Sequence, residues 1–145
     1  MLWHISCACV VFGTSLFGAD VRQDTHRIAA IRQMREILKK EDYRAFYQEH
    51  CHPHLHKQIE INAFERLMST PRGEAMGIKL FNEVLDAVDG KADDKVLIAR
   101  PQAEKDEYEF ILVKVRDQLP AERKGRQWHL ELKLDEGKWK LMDTD

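Results

Sequence analysis

Charge is missing from the start of this chain: residues 1–19 contain no Lys, Arg, Asp or Glu, and Asp20 is the first ionised side chain. Cysteine is scarce as well, with three in 145 residues, at positions 7, 9 and 51. So few thiols argue against a small scaffold held by a disulfide framework, and stability has to come from a packed core. Net charge is small too. With 23 Lys plus Arg against 25 Asp plus Glu, the balance of -2 gives no overall field toward nucleic acid or an anionic membrane. The apolar run over residues 5–17 falls short of the ~20 apolar residues that a spanning helix requires.

What is present follows from these absences. The uncharged run has the length of a secretory hydrophobic region, and Gly18-Ala19 supplies small residues for cleavage. Two features depart from the usual pattern: Met1-Leu2-Trp3-His4 carries no Lys or Arg, and Phe17 stands where a small residue is preferred. The expectation is a signal peptide over residues 1–19 and one domain over residues 20–145, exported to the periplasm or beyond, in a bacterial envelope setting. No stable membrane span is expected in the mature form, and Cys51 becomes its sole thiol.

The mature chain reads as helices followed by strands. Ile28, Ile31, Met34, Ile37 and Leu38 recur at threes and fours over residues 25–40, one apolar stripe of an amphipathic helix. Asp42 is placed to cap a second helix bearing Tyr43, Phe46 and Tyr47 on one face, ending before Pro53. A third helix is expected over residues 58–68. Thr70 as cap and Pro71 at the first helical position open a fourth, which Asp89-Gly90 stops.

Beyond Gly90 the period changes to alternation. Residues 96–99 and 108–116 read as strands, and Trp128, Leu130, Leu132 and Leu134 alternate with His129, Glu131 and Lys133 before Glu136-Gly137 turns the chain into Trp139 and Leu141. With a two-residue loop, Leu134 faces Trp139 and Leu132 faces Leu141, and continuing that register sets Asp143 opposite Leu130 on the apolar face. Asp143, Tyr43 and Tyr47 are therefore the pocket candidates. The aromatic pair at i, i+4 has core packing as its plainer role, and Asp143 near the chain end has fraying into water. His129 reads as a solvated surface residue, and Arg123-Lys124-Gly125-Arg126 as a hairpin loop.

The most unusual segment is His50-Cys51-His52-Pro53-His54-Leu55-His56, with four of the seven histidines in seven positions. Four readings of it stay open. In the plainest, Leu55 and Cys51 anchor a Pro-interrupted turn while the imidazoles face solvent. In the second, His50, Cys51, His52, His54 and His56 supply ligands for Zn or Cu, with Ni also suited to imidazole, although the spacing fits no established zinc motif. The third is a shared pH response near the imidazole pKa, and the fourth a reactive Cys51 between cationic imidazoles.

The amphipathic helix of residues 28–38, the Glu41-Asp42-Tyr43 helix restart, the His52-Pro53 break and the closing Gly137-Lys138-Trp139-Lys140-Leu141 together resemble small bacterial members of the nuclear transport factor 2-like superfamily, including SnoaL-like and ketosteroid isomerase-like domains. The resemblance implies an α+β fold with N-terminal helices packed on a C-terminal antiparallel meander, a cone-like, cystatin-like roll. Its enzymes hold a catalytic group inside the cone, but no such set maps onto this sequence, so no catalytic residue is assigned. The expected function is an exported, non-catalytic domain that binds a small apolar ligand or a protein, with homodimerisation through the sheet face by analogy and no nucleic-acid partner. A metal-binding accessory protein and a small cyclase, isomerase or hydrolase are the alternatives.

Overall fold

The computed structural model describes residues 25–92, 95–101, 107–114 and 128–144; the expected leader with its cleavage point and the basic stretch of residues 123–126 lie outside them. The order is helices, then strands. Helix α1 (Thr25–Lys39) buries Ile28, Ile31, Met34 and Leu38, the stripe its periodicity marks. Glu41, at φ 57°, takes the left-handed conformation that ends a helix and allows the chain to restart. Asp42 then caps α2 (Tyr43–His50), its carboxylate accepting from the Ala45 N–H at 3.0 Å.

Pro53 does not leave the next segment as a turn. A proline lacks the N–H that a first helical turn leaves unpaired anyway, so it fits the first position of α3 (Pro53–Gln58). Helix α4 (Ile61–Met68) follows after a break at Ile59 and Glu60 and is the helix expected over residues 58–68, begun three residues later. Thr70 accepts from the Gly73 N–H at 3.1 Å and caps α5 (Pro71–Glu74). The chain passes through a π-turn (Ala75–Lys79), with Gly77 off helical geometry, into α6 (Leu80–Val88).

Strands β1 (Lys95–Pro101), β2 (Glu107–Lys114), β3 (Trp128–Asp135) and β4 (Lys138–Thr144) form a four-stranded antiparallel meander in chain order. The protein is thus α+β, with α1, α2 and α3 against β4, and α6 against β1 and β2. Tyr108, Phe110, Leu130, Leu132 and Leu141 meet the helices' Phe46, Phe81, Val84 and Leu85 in one core. The β3–β4 hairpin turns through Glu136 and Gly137 at φ 48° and 77°, the two positive values of a type I′ turn whose twist matches its strands. Leu134 pairs with Trp139 and Leu132 with Leu141, as the alternation requires.

The expected register fails at the far end of the hairpin. A bulge lies between Glu131 and Leu132 on one side and Leu141 and Asp143 on the other, leaving Met142 as the extra residue of β4. Asp143 consequently pairs with Glu131, and Thr144 with Leu130. One further link crosses the molecule: Cys51 forms a parallel bridge to Leu141, and the His52 N–H donates to the Leu141 carbonyl at 2.7 Å.

Candidate functional site

An apolar cavity of about 280 Å³ opens between the helices and the end of β4. Leu38, Phe46, Phe64, Leu67, Met76 and Phe81 supply much of its wall, and Leu55 and Ile59 line it from α3 and the residue after it. Its formation depends on two glycines. A side chain on Gly73 would run into the Leu67 carbonyl and come within 2.5 Å of the Met68 Cα, so only glycine lets α5 approach α4 this closely. Gly77 leaves room for the Met68 Cε, which lies 2.5 Å from where a Cβ would stand. The kink at Gly77, with Met76 beside it, also forms part of the wall.

Gln58, Asp143 and Thr144 are the polar side chains of this lining. Asp143 lies at the rim with an exposed side chain, and its Oδ1 accepts the Thr144 N–H at 2.8 Å. Gln58 is exposed and its amide donates to His54 Nε2 at 3.0 Å. Of the pocket candidates, then, Asp143 reaches the cavity rim, with Glu131 rather than the expected Leu130 as its partner across the strands.

The tyrosines are placed differently. Tyr47 is buried in the core, and its hydroxyl donates to the Ile59 carbonyl at 2.7 Å, so it stabilises the α3–α4 junction behind the wall. Burial pushes its phenol pKa upward. Tyr43 packs half-buried against the core, where burial likewise raises its pKa.

The histidine segment is divided among separate tasks. His52 caps α3, its Nδ1 accepting the His54 N–H at 3.0 Å. His56 stacks on Tyr47, with ring centroids 4.2 Å apart, and its Nε2 donates to the Tyr47 carbonyl at 2.7 Å. His50 is half-buried at the end of α2, 5.9 Å from the Phe46 ring, while His54 is exposed. Among the described residues no group of three or more His, Cys, Asp or Glu is arranged to hold a metal ion.

Two expectations about this segment need correction. The imidazoles are not uniformly solvated, because a helix built on Pro53 turns His56 inward onto Tyr47 and uses His52 as a cap. Cys51 is not an activated thiol either: it is fully buried, and that burial pushes its pKa up to about 12. Desolvation also lowers the pKa of His50 and of His52, against the opposing pull of Glu49 and Asp135 respectively.

His129 is a second residue that sequence reasoning misplaced. Its Nδ1 donates to Glu109 Oε1 at 2.5 Å, and the Glu109 carboxylate is buried although its strand position faces away from the helices. Alternation marked His129 as a polar-face residue. Its pairing with Glu109 was invisible in the sequence, because it depends on the β2–β3 register, which sets Ile111 beside His129 and Glu109 beside Glu131.

No family model, curated protein or solved structure matches this chain. What fold and site define is a class: an α+β domain with a helix-walled apolar cavity closed by its last strand. Among the described residues no helix is long and apolar enough to cross a membrane.

Proposed function

We propose that this chain is an exported domain that binds a small apolar ligand without catalysis, built on a nuclear transport factor 2-like plan. The observation that carries this reading is the cavity, whose aromatic and aliphatic lining and few rim polar groups are those of a small-molecule site. Helices laid over one face of a meander, with the cavity between, support the fold resemblance. Asp143 is the one ionisable residue of that lining, and it stands exposed at the rim, which favours binding over general acid–base chemistry. The metal reading of residues 50–56 would require His52 to give up the hydrogen bond that caps α3, since its Nδ1 can accept only while Nε2 carries the proton.

The test is fluorescence titration with the neutral apolar dye N-phenyl-1-naphthylamine. Saturable enhancement is expected at micromolar dye, and it should be lost in Leu55→Trp, which fills the cavity from its half-buried rim. Circular dichroism establishes that the variant is folded, and Leu67→Trp serves as a second filling variant. A signal that never saturates in the parent protein overturns the proposal.

A further inference from the structure

The cavity's single charge indicates what kind of apolar molecule it takes. Fourteen of its fifteen lining residues are uncharged, and the remaining one is Asp143. A ligand that lies against the wall formed by Phe46, Phe64 and Phe81 leaves its polar end at the rim, beside Gln58, Asp143 and Thr144.

Asp143 has capacity to spare there. Its Oδ1 takes the Thr144 N–H, and its other oxygen has no hydrogen-bond partner among the described residues. The Gln58 amide nitrogen spends one of its two N–H groups on His54, and the Gln58 carbonyl oxygen is an acceptor. The one charged group of this rim is thus an acceptor and an anion. Such a rim suits a donor, and repels a second carboxylate.

We infer that the ligand is a single-tailed amphiphile with a hydrogen-bond-donating, uncharged or cationic head, such as an alkyl amine or alcohol, rather than a fatty acid. This rests on the binding reading given above. Asp143 and Thr144 both line the cavity at the end of β4, where the bulge at Met142 sets Thr144 opposite Leu130.

The experiment compares octylamine, 1-octanol and octanoate as competitors of bound N-phenyl-1-naphthylamine, in the parent protein and in Asp143→Asn. Because the carboxylate is exposed, its contribution is about fivefold in affinity, the scale of a solvent-accessible ion pair. Octylamine is expected to compete best and octanoate worst, and Asp143→Asn should bring octylamine and octanoate together. Asp143 is exposed and the change is isosteric, so the variant folds; an unchanged thermal midpoint verifies it. Equal competition by all three, or a preference for octanoate, overturns the head-group assignment while leaving the cavity a binding site. If the dye itself fails to bind the parent protein, the binding reading falls and this inference falls with it.

Discussion

Histidines close together in sequence have unequal physical roles here. His56 stacks on Tyr47 and donates to its carbonyl, whereas His54 is exposed. Removing a buried stack and a hydrogen bond costs about 1–2 kcal/mol, so His56→Ala should lower the urea midpoint clearly, while His54→Ala should change stability by less than about 0.5 kcal/mol. Equal effects would mean the pairing with Tyr47 contributes little. His50 and His52 bring a pH dependence whose sign is fixed. Burial lowers both pKa values in the fold, so the unfolded chain binds protons more readily. Stability is full above the ordinary imidazole range and falls as pH drops through it. Protonation of His52 would also deprive the His54 N–H of its acceptor. Unfolding midpoints should therefore fall between about pH 7.5 and pH 5.5, with the fall reduced in His50→Gln/His52→Asn, where asparagine keeps a capping oxygen. Asp89 and Asp135 have their pKa values lowered by hydrogen bonds from Arg32 and Lys140. Their loss belongs to a separate, more acidic window.

At the scale of elements, close backbone approach makes the sharpest prediction. Gly73→Ala should lower stability by about 2–3 kcal/mol or more, since the added methyl meets the backbone of Leu67 and Met68. Gly77→Ala meets only the flexible end of Met68 and should cost less than about 1.5 kcal/mol, which thermal melts of the pair would compare directly. Much of this layer was legible in the sequence. The α1 stripe, the Asp42 and Thr70 caps, the stop at Asp89-Gly90 and the Leu134–Trp139 pairing all follow from local rules that the structure obeys. The exceptions share a cause. Pro53 was read as a breaker because its effect depends on whether a cap precedes it, and His52 as an N-cap by its ring nitrogen is an unusual choice. The bulge at Met142 coincides with a break in the alternation, the adjacent apolar pair Leu141-Met142, but two apolar residues in a row do not say which way the register shifts. The cavity could not be read at all, since its walls come from all six helices, the turn at Gly77 and β4 at once.

For the whole molecule, the two sheet faces differ most where β2 meets β3. One face carries Phe110, Leu130 and Leu132 into the core. The other holds Glu107 bonded to Lys133 at 2.8 Å, and Glu109 bonded to His129, while the register toward β1 places Ile111 and Ile98 on that same face. A homodimer through its charged end, as the resemblance implies, would be sensitive to salt. Sedimentation at low and high ionic strength checks this: association that strengthens with salt would contradict it. Ligand binding should also raise the thermal midpoint in proportion to the logarithm of ligand concentration, because only the closed fold has the cavity.

The bridge from Cys51 to Leu141 has a consequence for how the chain comes into being. The junction of α2 and α3 receives its backbone partner from the last strand, so the fully buried thiol at position 51 has no finished environment until the carboxyl end arrives. A nascent chain emerging amino end first exposes Phe46 and Phe64 throughout most of its synthesis. Chains stopped just before Lys138 should therefore stay labile to protease and be alkylated at Cys51 by iodoacetamide, which the completed protein excludes. Arrival of β4, rather than any early helix, is the committing event, because only then does the junction of α2 and α3 find its backbone partner.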